Sequence, residues 1–525
     1  HFALWGGEAA GIINPINPLL EPAQIRDIMN SAKTKVLIAL GEYPGSDIWQ
    51  KVEAIRKEVP TLKGIIRVMG PSDEANGIYG FDEVADKYNA DKLDSGRVFD
   101  ADEICSLYHT GGTTGTPKLA RRMHMNEMFS AVVCALGLDM ARGTTMMFGL
   151  PLFHANAPLL TGLAPFSVGA SVVMLSPLGY RDPGIIKNFF KIVEKYRVNS
   201  FMTVPTVLSM LLDVPIEGAD LSTLRYAMCG AAPLSVQVFR EFEKRTGLKL
   251  LEGYGLTEGT VVSSNNPRDG ERKIGSVGLR IPYQEMKTVI LDEKGEYVRD
   301  CNTDEIGVVV IRGPNVFKGY VEEAHNKGAW LPGGWLNTGD MGRMDKDEYL
   351  WLTGRKKELI IRGGHNIDPA VVEEVLYKLD DVALAAAVGR PDKHAGEVPV
   401  AYVVPKPGAK LDSAELEHYC REHITERAAI PKKIRVIENM PLTGVGKIFK
   451  PALRYDAIKD VFEADLQSLN NLVESVEVDV KEDKVYGTLA LVIATPAAGI
   501  SENKLVQQIK DLLAQYTVRY DIVIQ

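Results

Sequence analysis

The sequence predicts an α/β protein: a large N-terminal part of several sheets, a smaller α+β part behind it, and an extra C-terminal ββαβ unit. Three observations carry this expectation. Short β-rich runs alternate with helical patterns over the first half. From about Lys287 the rhythm changes to closer-spaced strands with Gly and Asp turns, and the last part of the chain contains a degenerate self-similarity. Regular alternation of strand and helix implies parallel sheets covered by helices.

Taken in order, residues 35–40 (KVLIAL) and Gly64–Val68 read as strands, with a helix over 48–59 between them. Strands follow at 171–175, Ser200–Thr203 and 225–229, and helices at 183–196 and 235–246. The closer-spaced strands are 288–291, Gly307–Arg312 and 349–352. No charged residue occurs between Arg142 and Arg181, a length that could span a bilayer. Pro151, Pro158, Pro165 and Pro177, with Gly149, Gly162 and Gly169, interrupt it too often for one continuous helix. A buried strand–helix–strand run that walls an apolar pocket is expected instead. His1–Trp5 lacks the basic start of a secretory signal.

Composition narrows the function. Hydrophobic residues make up 45% and charged residues 25%, the proportions of a globular protein. Sixty basic against sixty-nine acidic residues leave a net charge of −9, with no overall field for nucleic acid or an anionic membrane. Neither a nucleic-acid partner nor a transmembrane segment is expected, and a homo-oligomer stays open. The five cysteines (Cys105, Cys134, Cys229, Cys301, Cys420) form no CxxC pair, which argues against a zinc ribbon or disulfide framework. A reducing cytoplasm is the expected location.

The self-similarity lies at a constant offset of 89. Val403, Val404, Pro407, Leu411, Asp412, Leu416, Cys420 and Ile424 match Val492, Ile493, Pro496, Ile500, Ser501, Leu505, Ile509 and Leu513 without a gap. In each copy a strand and a Pro-containing turn lead to an N-cap residue and an apolar i, i+4, i+8 stripe, and another strand closes the unit near 434–437 or 520–524. Residues 458–525 therefore read as a degenerate repeat of 383–438.

The most informative segment is Tyr-His-Thr-Gly-Gly-Thr-Thr-Gly-Thr-Pro-Lys at 108–118. Glycines let backbone N–H groups approach an anion and threonines add hydroxyl donors, so the composition suits phosphate. It is not the usual P-loop, because Leu119 follows Lys118 and leaves no hydroxyl for magnesium. Five further segments follow: Gly230-Ala231-Ala232-Pro233 after a strand; Gly253-Tyr254-Gly255-Leu256-Thr257-Glu258; Thr338-Gly339-Asp340 before an expected strand; Gly354-Arg355-Lys356-Lys357-Glu358, leading to Gly363-Gly364; and Leu442-Thr443-Gly444-Val445-Gly446-Lys447.

On these six segments the chain resembles the adenylate-forming superfamily of acyl-CoA synthetases, luciferases and peptide-synthetase adenylation domains, from its first residues to about Arg454. The resemblance implies a large adenylate-forming domain, here 1–354, that binds ATP and a carboxylic acid. It also implies a hinged small domain, 355–457, that swings to serve two half-reactions. Thr110, Gly111, Gly112, Thr113, Thr114, Gly115 and Lys118 would cradle the β- and γ-phosphates. Gly230, Ala231, Ala232 and Pro233 would line the adenine, with Tyr254 stacked on it between Gly253 and Gly255. Thr257 would touch the α-phosphate and Glu258 would help to hold Mg2+. Asp340 would accept from the ribose hydroxyls with Arg355 beside it, Lys357 would be the hinge, and Lys447 the adenylating lysine. Gly363 and Gly364 would line the CoA passage.

The acid is read from the uncharged stretch. Its His154 and Asn156, with Met202, Val204 and Met228, are candidate acyl-pocket residues. An ammonium buried there would lack a partner, so an aliphatic or aryl acid fits better than an amino acid. His154 would guide the carboxylate, gate the pocket, or serve only as a hydrogen-bonded structural histidine. The implied activity is that of an ATP-dependent carboxylic acid–CoA ligase forming AMP, with fatty acid metabolism as one setting. The alternatives are an acyl-AMP ligase that loads a carrier protein and a non-catalytic nucleotide-binding scaffold. Family members begin well upstream of a segment like 11–18, so part of the N-terminal sheet is expected to precede the given sequence. The extension after Arg454 repeats no Gly446-Lys447, and no second active site is expected.

Overall fold

The computed structural model describes residues 1–88, 91–92, 94–110, 118–216, 218–355, 358–363, 365–483 and 487–525. Val36–Leu40, Gly64–Val68 and Ile78–Gly80 form a parallel sheet. Trp49 and Val52 of the helix Ile48–Ile55 pack on Ile65 and Ile78. The central sheet runs in the order Leu279–Arg280, Ser264–Asn265, Lys249–Tyr254, Tyr226–Cys229, Ser200–Thr203, Thr145–Phe148, Ser171–Met174. Its last five strands are parallel and the first two antiparallel. Phe189, Phe201 and Phe242 are fully buried in its core.

The uncharged stretch is strand, helix and strand. Thr145–Phe148 and Ser171–Met174 pair in parallel, and the helical turns at 156–167 between them bury Leu159, Leu160 and Ala164. No helix among the described residues is long and apolar enough to cross a membrane. The helix expected over 183–196 is instead two, Pro183–Lys187 and Phe189–Lys195. At the break, the Asn188 side chain donates to Gly184 O and competes with the backbone ladder.

An antiparallel sheet follows, built on Glu285–Leu291, Gly307–Arg312, Trp335–Met344 and Leu350–Arg355. Thr338-Gly339-Asp340 precedes the strand Leu350–Arg355, as expected, and itself lies inside the strand Trp335–Met344. The pairing register slips around Asp340, and Gly339 takes φ 73, so the three residues form a bulge. The smaller sheet joins His365–Ile367, Ile360–Arg362, Gly396–Pro405 and Val382–Asp392, with Lys433–Val436 parallel to Gly396–Pro405.

The extension is a ββαβ unit: Val473–Asp483, Gly487–Pro496, helix Glu502–Leu513 and Arg519–Ile524. The gapless offset of 89 needs correction. Hairpin pairs Val382↔Pro405 and Asp392↔Gly396 recur as Val473↔Pro496 and Asp483↔Gly487, an offset of 91, bulge included. Buried Leu416 and Cys420 recur as Leu505 and Ile509, an offset of 89. The parallel pair Val403↔Val436 recurs as Ala494↔Ile524. The strand-to-helix turn is thus two residues shorter in the second copy. A two-residue shift preserves the inside–outside alternation of a strand, so the sequence pattern does not distinguish 89 from 91.

The repeating unit also takes in a helix before the hairpin, so the first copy reaches back beyond the expected 383. Helix Ala370–Leu376 precedes the first hairpin, and the end of helix Lys450–Leu466 precedes the second. Val372 and Leu376 are fully buried in the first, as are Phe462 and Leu466, ninety residues later, in the second. The helix Lys450–Leu466 is therefore shared. Leu453 and Ala457 pack on Ala386, Val400 and Tyr402 of the first copy. Ile458, Val461, Phe462 and Leu466 pack on Val478, Val492, Leu505 and Ile509 of the second. The helix runs without a break through residues 457 and 458.

Candidate active site

Glycines bring the strand ends of the central sheet together. A Cβ on Gly230 would stand 2.9 Å from Gly253 O and 3.5 Å from Met202 Cε. Ala231 holds φ 72, a left-handed backbone that costs a non-glycine residue about 1 kcal/mol and marks a strained turn. Ala232 is half-buried and Pro233 exposed. After Tyr254 the chain folds back so closely that a Cβ on Gly255 would lie 1.5 Å from Val261 O. Thr260 and Val261 take φ 48 and 82 to close this loop.

That loop carries the short 3-10 turn Thr257–Gly259. Tyr320 Oη donates to Glu258 Oε1 at 2.6 Å, and Lys118 Nζ lies 5.1 Å from the Tyr320 ring centroid. Tyr320 thus links the lysine that ends the phosphate motif to the candidate metal carboxylate. Thr110 and Lys118 are register partners across the hairpin Ile104–Thr110/Lys118–Met123. Gly111, Gly112, Thr113, Thr114 and Gly115 lie outside the described residues, as do Lys357 and Gly364.

Tyr254 Oη donates to Asp340 Oδ2 at 2.6 Å, and Asp340 is only 6% exposed. The bulge is what aims this carboxylate: Asp340 N donates to Thr338 Oγ1, whose hydroxyl in turn donates to Val309 O. The backbone of Arg355 pairs with Asp340 in register. Gly363, with φ 56, bonds through its N–H to Ala395 O in the turn after Ile360–Arg362.

The small domain reaches the large one through the lysine loop. Thr443 N donates to Lys447 O, Lys447 N donates to Thr443 Oγ1, and Gly446 takes φ 80, so the loop is a tight turn. A Cβ on Gly444 would stand 3.1 Å from Asn17 Nδ2 and 3.3 Å from Phe153 Cζ. One on Gly446 would stand 3.5 Å from both Val204 Cγ2 and Thr206 Oγ1. Burial, with the Lys447 charge nearby, pushes the His154 imidazole down to about 3, so it is neutral near pH 7. Asn156 N donates to His154 Nδ1 at 3.4 Å, which leaves the proton on Nε2. Burial also pushes His109 down to about 4; it accepts from Asn17 N, and Phe153 stacks on it.

The structure brings Lys447, His154 and Val204 to one place, with Met202 and Met228 register partners on adjoining strands and Asn156 buried at the start of the helical run. It brings Lys118 and Glu258 to another, and Tyr254 and Asp340 to a third. Tyr320, Thr206 and Glu374 were missed. Each matters through a partner at least 62 residues away, and a single sequence carries no signal for that. His109 stood inside the phosphate motif, so a signal existed.

Comparison with known proteins agrees with this geometry. Residues 3–321 match the AMP-binding enzyme pattern and 371–447 that of the AMP-binding enzyme C-terminal domain. The chain is 38% identical to the marinolic acid–CoA ligase of Pseudoalteromonas sp. (strain SANK 73390), over 93% of this chain and 75% of that protein. It is 32% identical to the long-chain-fatty-acid–CoA ligase of Bacillus subtilis (strain 168), over 85% and 81%. It superposes on ATP-bound MatB from Rhodopseudomonas palustris with a TM-score of 0.73, at 25% identity over 85% and 84% of the two chains. The alignment over 93% of the chain enters 458–525; the others cover less. The chain belongs to the adenylate-forming AMP-binding enzymes, and within them it is an acyl-CoA synthetase, a carboxylic acid–CoA ligase that forms AMP.

Proposed function

We propose that this synthetase activates an apolar aliphatic or aryl acid and transfers its acyl group to CoA. The observation that carries the reading is the seat of the Lys447 loop against Val204 and Phe153, beside a neutral His154. A carboxylate oxygen attacks the α-phosphorus, the bond to the bridging β-phosphate oxygen breaks, and pyrophosphate leaves. CoA sulfur then attacks the acyl carbon, the thiol proton passes to solvent, and the C–O bond to AMP breaks.

The chain's own residues supply positioning and charge neutralisation. Lys447 bridges the acid and the α-phosphate as a compact cation. Neutral His154 adds no charge, so it orients the carboxylate with its Nε2–H without competing with Lys447. Lys118 and the 110–118 motif hold the β- and γ-phosphates, Thr257 touches the α-phosphate, and Asp340, steadied by Tyr254 and flanked by Arg355, accepts from the ribose. Gly230–Pro233 line the adenine. Glu258 fits Mg2+: it offers a hard carboxylate held in place by Tyr320, and phosphate and water oxygens would complete the shell. Bound there, Mg2+ would neutralise phosphate charge. Lys357 is the hinge, and Gly363 and Gly364 admit the pantetheine after the small domain turns.

Pyrophosphate and AMP release, followed with ATP, CoA and a panel of fatty, aryl and amino acids, tests the reading. Apolar acids should release pyrophosphate first and AMP only with CoA. Turnover restricted to amino acids would overturn the pocket assignment, and AMP release indifferent to CoA would move the acceptor to a carrier protein.

A further inference from the structure

Three contacts clamp the small domain onto the large one, through Thr206, Glu374 and Tyr377, none of which lies in the six motif segments. Thr206 Oγ1, on the first turn of helix Pro205–Leu212, donates to Gly446 O at 2.6 Å, next to Lys447. Glu374, on helix Ala370–Leu376, accepts from Val236 N at 3.1 Å and from Ser235 Oγ at 3.4 Å. Tyr377 packs against the core of the large domain.

Glu374 sits where helix Val236–Thr246 begins. Ser235 is its N-cap and Val236 N is one of the amides that the helix cannot satisfy internally. Burial pushes the Glu374 carboxyl above its ordinary pKa, and the hydrogen bonds from Val236 N and Ser235 Oγ at the positive end of the helix dipole work against that rise. When the small domain leaves, that amide must find water.

The C-terminal copy shows which of these features the fold itself needs. At the offset of ninety, buried Val372 and Leu376 recur as buried Phe462 and Leu466, but Glu374 becomes Ala464 and Tyr377 becomes Gln467, both exposed. The copy has no large domain to dock on at that face. Core positions are kept and docking positions are lost, so Glu374 and Tyr377 are not required to fold an α–ββ–α–β unit.

We infer that Thr206 and Glu374 are positioning residues that latch the small domain in the arrangement presenting Lys447 to the acid and ATP. Neither touches substrate. Each acts on the population of the adenylate-forming arrangement. The inference rests on the two-arrangement reading above and adds which residues set the balance.

The test measures the two half-reactions separately on the full chain: acid-dependent pyrophosphate release, and thioester formation from supplied acyl-adenylate and CoA. Glu374→Ala should slow adenylation about tenfold and Thr206→Val about fivefold, as expected for losing one charge-assisted and one neutral hydrogen bond from a single arrangement. Thioester formation should be unchanged or faster in both. Glu374→Gln keeps an acceptor and should recover part of the loss. Equal loss of both half-reactions, or no loss in either, overturns the latch. Lys447→Ala, run in parallel, should abolish adenylation and spare thioester formation. If it splits the reactions and the latch variants do not, only the latch falls. If it slows both equally, the two-arrangement reading falls, and the latch falls with it.

Discussion

Glu252, the residue before Gly253, is buried on Lys249–Tyr254 with Oε2 unpartnered. Burial, with the Glu374 carboxylate nearby, pushes its pKa from 4.5 up to about 8, against the lowering effect of a backbone hydrogen bond from Leu234. The native state then holds a proton that the unfolded chain releases, so stability falls as pH rises from about 4.5 to about 8. Glu252→Gln removes that loss. Its melting temperature relative to the parent should rise by several degrees across this window and level off above it. A difference that stays flat between pH 5 and about 9 would show that Glu252 is ionised in the fold. For His154 the sequence left three roles open, and the structure shows it buried, neutral near pH 7 and accepting from Asn156 N.

The loop of residues 255–262 is the element on which the proposed nucleotide site turns. It reverses the chain after Tyr254 within van der Waals contact of itself, at Gly255 against Val261 O. Gly255→Ala has no room for its methyl group and no flexible side chain to displace. It should cost about 3 kcal/mol or more and disturb Glu258 and Tyr254 together. Calorimetry and the Km for ATP check this; an unchanged melting temperature with unchanged Km would mean that the turn is more open than its backbone shows. This element was half legible. The Gly-Tyr-Gly-Leu-Thr-Glu composition marked it, but nothing local gave the left-handed Thr260 and Val261 or the Tyr320 that fixes Glu258. Likewise the motif marked Thr338-Gly339-Asp340 as lying before a strand, while only pairing on both sides shows it to be a bulge within one.

At the scale of the whole molecule, the shared helix Lys450–Leu466 makes the small domain and the extension one packed body. Asp460 pairs with Lys433 and Asp465 with Lys393 on the first copy, and Tyr516 of the second donates to Asp465. We therefore expect the extension to move with the small domain in the proposed domain rotation. A chain ending at Asn470 would expose Ile458, Val461, Phe462 and Leu466, each worth about 1.5–3 kcal/mol when buried. Such a chain should keep acid-dependent adenylation within about twofold, because Lys447 and the latch precede the cut, but should melt earlier or self-associate. A folded, monomeric truncant without adenylation would place the repeat in the chemistry.

The sequence by itself determined the α/β class, the family, the motif segments and the existence of a C-terminal ββαβ unit, because composition, glycine placement and hydrophobic period are local properties. It also marked the uncharged stretch, whose prolines and glycines argue against a membrane helix without reference to any partner. Only the tertiary structure decided that Tyr320 holds Glu258, that Tyr254 holds Asp340, that Thr206 and Glu374 clamp the small domain, and that one helix serves both copies. These are contacts between residues far apart in the chain, and a strand's two-residue period hides even the register of the repeat until its partner strand is in place.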